Sequence, residues 1–181
     1  MLEYVRRNVF TERNFYVYQK GDYVVYGING VCKIEEVAPL QSGGERIYYH
    51  LTPVHALNNM IYTPVDNDKV PIRLVLSQDE ARSFLENISE IEAMEDVAYK
   101  KREQQYKEAM KTCDCREWVC VMKTAYNRRL QRMEEGKKAT AADEKYFKAA
   151  KSNLINEMEV VFNQDCAQVT EMLSAYLDFI S

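Results

Sequence analysis

Three thiols stand close together at Cys113, Cys115 and Cys120, a C-x-C-x4-C run whose possible chemistries are metal ligation and thiolate attack. A closed zinc site takes four ligands, and the only histidines, His50 and His55, lie far upstream. The run therefore reads as a helix start with Cys120 buried in the core, and a thiol or zinc enzyme on these residues ranks third among the functional readings. Other catalytic constellations are thin. The chain has no Gly-rich phosphate loop, no H-E-x-x-H and no nucleophile elbow, and His50 reads as a strand residue rather than a base. A different chemistry is open to the stretch Tyr99-Lys-Lys-Arg-Glu-Gln-Gln-Tyr106-Lys107. Basic side chains pair with phosphates and aromatic rings lie against sugars or bases, although the same composition also suits a solvated helix. Trp118, the only tryptophan, sits among Val119, Val121 and Met122 and reads as core.

Two kinds of element must position these residues. Apolar runs at Val24-Val25-Tyr26, at Val31, Cys32, Ile34 and Val37, at Ile47-Tyr48-Tyr49 with Leu51, and at Met60-Ile61-Tyr62 with Val65 are each closed by glycine or asparagine turns. A fifth run, Val70 to Val75, contains Pro71 and reads as an edge or irregular strand. Five short strands in so short a stretch fit a small, strongly twisted barrel. From Ser77-x-x-Glu80, a capping box, the apolar period becomes helical. A short helix is predicted to start at Ser77, with Ala81, Phe84, Leu85 and Ile88 at helical spacing, and further helices from Glu95 to Lys111, from Asp114 to the stop at Gly136, from Thr140 through Val161, and over 165–180.

The 181 residues suffice for one or two domains with a real core. No apolar run is long enough to span a membrane, and the first sixteen residues lack a secretory h-region and cleavage site. Five cysteines, an odd number inside patterned segments, suit reduced thiols and a cytoplasmic location. The net charge of −4 argues against indiscriminate coating of nucleic acid, but it is unevenly distributed. Residues 17–97 carry six Lys/Arg against thirteen Asp/Glu, a balance of −7, whereas residues 98–160 carry fifteen against ten, a balance of +5. An acidic front and a basic rear suit two modules with two partners, and equally suit solvated helix faces.

The stretches GDYVVYGINGVCKIEEV, YYHLTPV and IYTPVDN, followed by VMKTAYNRR and TAADEKYFKAAKSNLINEMEVV, resemble the CarD/CdnL/TRCF family of bacterial transcription regulators, from about Tyr18 to Ser181. The front motifs are shared with transcription-repair coupling factors; front and helical rear together point to the CarD/CdnL branch. The resemblance implies an α+β chain with a small Tudor/SH3-like β-barrel over 17–76 and an all-helical bundle of about five helices over 77–181, leaving 1–16 as an extension outside it. It implies that the barrel docks on the RNA polymerase β subunit and that the bundle touches promoter DNA beside the transcription bubble. By the family pattern the docking strand is Asn59, Met60, Ile61, Tyr62, Thr63 and Pro64, with Tyr62 at the position of one contact arginine and Leu40 near another. Tyr106-Lys107 and Arg128 match a Tyr-Lys pair and an arginine on the DNA side. Arg102 stands where the family has a tryptophan wedge, which replaces wedging by an electrostatic contact.

The expected DNA-facing strip is thus Lys100, Lys101, Arg102, Lys107 and Arg128. The leading expectation is a non-enzymatic regulator that bridges polymerase and promoter DNA and modulates open-complex stability, without cofactor, metal, membrane or small-molecule substrate. A polymerase-binding adaptor without productive DNA contact is the alternative.

Overall fold

The computed structural model describes residues 18–180 apart from 41–43, 57 and 96, and omits the side chains of Tyr99 and Lys100. The extension over 1–16, residue 17 and the turn expected at Ser42-Gly43 lie outside the described residues. Five antiparallel strands, β1 (Tyr23–Tyr26), β2 (Val31–Pro39), β3 (Ile47–Pro53), β4 (Ile61–Pro64) and β5 (Ile72–Leu74), form one sheet in the order β4-β3-β2-β1-β5. Alternation along β1 decides its two faces. Val24 and Tyr26 turn into a barrel core with Cys32, Ile34, Tyr49 and Leu51, whereas Val25 turns outward to the helices together with Val31. A register shift between Ile34 and Glu36 bends β2 so that one long strand can pair on both sides. β4 and β5 do not pair, so the barrel expected from the strand pattern is open along that seam. Pro71 just before β5 fits its place at an edge.

The helices are α1 (Gln78–Glu86), α2 (Tyr99–Lys111), α3 (Cys115–Glu134), α4 (Ala141–Phe162) and α5 (Cys166–Ser174). Ser77 and Glu80 complete the expected capping box, and Thr140 Oγ1 accepts from the Asp143 amide. Gly136 follows α3 with φ of 71° and its amide returns to the Met133 carbonyl, a conformation a side chain would strain. Two bounds differ from the sequence reading. α2 starts at Tyr99 rather than Glu95 because the preceding segment is bound to α3: Lys123 Nζ donates to the carbonyls of Ile88, Ser89 and Ile91, and the Met94 amide donates to Thr124 Oγ1 at 2.8 Å. α5 ends at Ser174, beyond which the chain turns to bury Leu177 and Ile180.

Sheet and helices share a core. Val25 and Val31 pack in the same cluster as Trp118, Val121, Met122, Leu154 and Met158. Full burial of each such side chain stabilises by roughly 1.5–3 kcal/mol. The approach is close: a Cβ on Gly30 would come within 2.9 Å of Asn153 Oδ1 on α4.

Candidate functional site

Two surfaces stand apart chemically, one on the sheet and one on the helices. On the sheet, β4 pairs with β3 on one side only, in the register His50 opposite Tyr62 and Tyr49 opposite Thr63, and among the described residues its other side carries no strand. Period-two alternation sends Thr63 inward, 2% exposed, and Tyr62 outward, 51% exposed. Tyr62 meets His50 edge-on at 4.9 Å between ring centroids, and Met60, also exposed, receives the Thr52 hydroxyl on its sulfur at 3.7 Å. Ile61 and Pro64 are half-buried, and Asn59 is exposed in the preceding turn. The six residues assigned to docking from the sequence therefore run along the edge of the sheet with two exposed apolar side chains. The second position of interest, Leu40, follows β2 and is half-buried.

The helical positions are less uniform. Lys101 and Lys107 are exposed on α2, Lys107 with Glu103 at 3.3 Å. The side chain of Lys100 lies outside the described residues. Arg102 is only 5% exposed and one of its guanidinium nitrogens donates to the Val97 carbonyl, so the expectation of a solvent-facing arginine does not match its placement. Its turn of α2 faces the bundle, where Tyr106, four residues on, is fully buried. The Tyr106 hydroxyl donates to Asp143 Oδ1 at 2.9 Å, and Arg128 Nε lies 3.6 Å from Asp143 Oδ2, so one carboxylate from α4 ties α2 and α3 together. Burial, then the Asp143 hydrogen bond, pushes the Tyr106 hydroxyl well above its ordinary pKa. The sequence strip thus divides into exposed lysines and arginines held within the fold.

A denser basic surface lies further along. Residues 123–151 carry nine Lys/Arg against four Asp/Glu, and Arg129, Lys137, Lys138, Lys145 and Lys148 are exposed around the α3–α4 turn. Leu130 and Met133 are exposed beside them. The charge balance of the rear segment is visible in the sequence, whereas its concentration on one surface needs α3 and α4 to fold back on each other.

The cysteines serve the junction. Cys113 and Cys115 are buried and Cys120 is only half-buried, which reverses the sequence expectation for Cys120. Cys113 takes a positive φ of 61° between α2 and α3 and points its thiol at the carbonyls of Gly27 and Pro71. Beside it, Arg73 of β5 makes a bidentate pair with Glu157 of α4, at 2.6 and 2.8 Å. Glu157 is wholly buried and also accepts from the Leu76 amide and the Cys115 thiol, while Arg73 also donates to the carbonyls of Leu74 and Cys113. Burial opposes the charge on Arg73, but the Glu157 carboxylate more than offsets this and raises its pKa. Burial, then Glu157, pushes the Cys115 thiol up. Such a thiol is a poor nucleophile. Among the described residues no group of three or more His, Cys, Asp or Glu side chains is placed to hold a metal ion, and no helix is long and apolar enough to cross a membrane.

Residues 18–76 match the CarD-like/TRCF RID domain, and residues 83–174 match the CarD C-terminal domain. No curated protein matches the chain. The first match covers the sheet with its exposed β4 edge and the second covers α2 through α5, so together they take in both surfaces. The chain belongs to the CarD-like family of transcription-associated proteins.

Proposed function

We propose that the chain is a non-enzymatic, cytoplasmic regulator of transcription initiation that docks on the RNA polymerase β subunit through β4 and contacts promoter DNA through its helices. The observation that carries this reading is the edge position of β4, with Tyr62 and Met60 exposed, in the segment of the chain that matches the RID domain. An edge strand can be extended by a partner strand through main-chain hydrogen bonds, and Asn59, Met60, Ile61, Tyr62, Thr63 and Pro64 supply that edge. Phosphate contacts come from Lys100, Lys101 and Lys107 on α2 and from the exposed bases of the α3–α4 hairpin. Arg102 and Arg128 support them from inside, through Val97 and Asp143. Docking raises the effective concentration of DNA at the helices, so weak contacts suffice.

The test is retention of the full chain by a purified polymerase β fragment. The parent is expected to be retained and Tyr62→Glu or Ile61→Pro to be lost with unchanged helical circular dichroism. Failure of the parent to bind any β fragment overturns the reading. The burial of Arg102 favours a second reading, an adaptor that binds polymerase without productive DNA contact. Open-complex lifetime separates the two: the adaptor leaves it unchanged while bound.

A further inference from the structure

A pocket of about 300 Å³ opens between α3, the α3–α4 turn and α4. Its walls are aromatic. Tyr126 and Phe179 stack at 4.9 Å between centroids with their planes 26° apart, and Phe147 meets Phe179 edge-on at 6.1 Å. Arg129 and Glu144 stand on its two lips, both exposed and neither in an ion pair among the described residues. Phe179 lies beyond the last residue matched to the CarD C-terminal domain. It is held there by its neighbours: Leu177 and Ile180 are buried, and Lys151 of α4 donates to the Ile180 carbonyl.

We propose that this pocket takes one unpaired nucleobase from a DNA strand lying along the basic α3–α4 hairpin. The inference rests on the DNA-contacting part of the proposed function and adds a specific site to it. Three features select this ligand. The stacked Tyr126–Phe179 pair offers a flat aromatic platform on which one face of a base stacks without regard to its identity. Arg129 donates to ring nitrogens and carbonyls, and Glu144 accepts from exocyclic amines, so the lips match the hydrogen-bonding edges that pairing would otherwise occupy. Lys148 stands one turn beyond Glu144 on α4, and Lys145 and Lys138 are exposed nearby, which places cations where the flanking phosphates of that strand would run, while Lys137 is paired with Glu135 at 2.8 Å. A paired duplex offers no free base face, so the site discriminates open from closed DNA.

The test uses the full chain at low salt, where phosphate contacts are strongest, with two DNAs of one sequence: a paired duplex and a duplex with an unpaired segment containing 2-aminopurine. The parent is expected to bind the open DNA more tightly and to quench the aminopurine. Tyr126→Leu and Phe179→Leu keep apolar bulk but remove stacking. They are expected to weaken binding of the open DNA by roughly 5- to 150-fold, the stacking value of one base, and to leave the paired duplex unaffected. Arg129→Ala, on the exposed lip, is expected to act in the same sense without changing the thermal midpoint. Equal binding of both DNAs by the parent, or equal losses on both in the variants, overturns the pocket. Competition by a free nucleoside monophosphate at the affinity of the open DNA overturns the strand as its source. No binding to either DNA overturns the DNA limb of the proposed function, whereas salt-sensitive binding blind to the open segment overturns the pocket alone.

Discussion

Replacing both partners of the Arg73–Glu157 pair should cost much less than the sum of the two single replacements. Glu157 has no exposed surface, and its carboxylate receives both arms of Arg73, the Leu76 amide and the Cys115 thiol. In Arg73→Met that carboxylate stays buried with two of its four donors and no countercharge. Removing one member of a buried pair typically costs about 3–5 kcal/mol. Because the Arg73 side chain is 29% exposed and water reaches it, the lower end, about 3 kcal/mol, applies to Glu157→Leu as well. For a chain of this size about 3 kcal/mol is a fall of roughly 6–12 °C in Tm. Arg73→Met with Glu157→Leu removes both charges and leaves the Leu76 amide as the main orphan. The double variant should therefore lie well above the sum, by a coupling of about 2–3 kcal/mol. Urea unfolding followed by Trp118 fluorescence reads this directly, since the indole is buried with the Arg73 guanidinium 5.9 Å from its ring centre. Because Val25 and Val31 belong to the helical core, one transition is expected. Single losses below about 1 kcal/mol, or additive losses in the double variant, would refute the reasoning.

Three further outcomes follow from burial. Of the five cysteines, Cys166 alone is exposed and should be modified first by a thiol reagent at neutral pH, Cys120 more slowly, with Cys32, Cys113 and Cys115 protected until urea unfolds the chain; fast labelling of the buried three would contradict their placement. Burial pushes the Cys32 thiol from 9.0 to about 12, and raises Cys113 and Cys115 too. Between these values the unfolded chain releases protons that the native chain keeps, so this stability is complete below pH 9.0 and declines as pH rises toward about 12. A urea midpoint at about pH 10.5 no lower than at about pH 8 would be the contrary result. On DNA, Lys148→Gln should reduce the salt slope by roughly one unit, while Arg102→Ala should leave the slope unchanged and lower the thermal midpoint; an equal slope change in both would place Arg102 at the surface.

The sequence carried what is local. Turn glycines, β-branched runs and the Ser77 and Thr140 caps each act within a few residues, and they mark the strands and most helix starts. The edge place of β5 was legible from Pro71, and the burial of Trp118 from its helical stripe. What failed depends on distant partners. Arg102 looks like any base on a charged helix until the rest of the bundle closes over its turn. The late start of α2 is set by Lys123 and Thr124 on another helix. Arg73 and Glu157 are 84 positions apart, and no periodicity links them. The aromatic pocket needs Phe179 to fold back from the chain end onto Tyr126.

That separation also sets an order of events during synthesis. The sheet, complete at Leu74, emerges long before the carboxylate that neutralises Arg73 and the helix that covers Val25 and Val31. At roughly 5–20 residues per second, 84 residues take about 4–17 s to make. Throughout that interval the nascent sheet presents an uncovered apolar back, an uncompensated guanidinium and two open edges to whatever surrounds the ribosome. The front of this chain reaches its final state only when the rear arrives, and chaperone demand should peak in the interval between them.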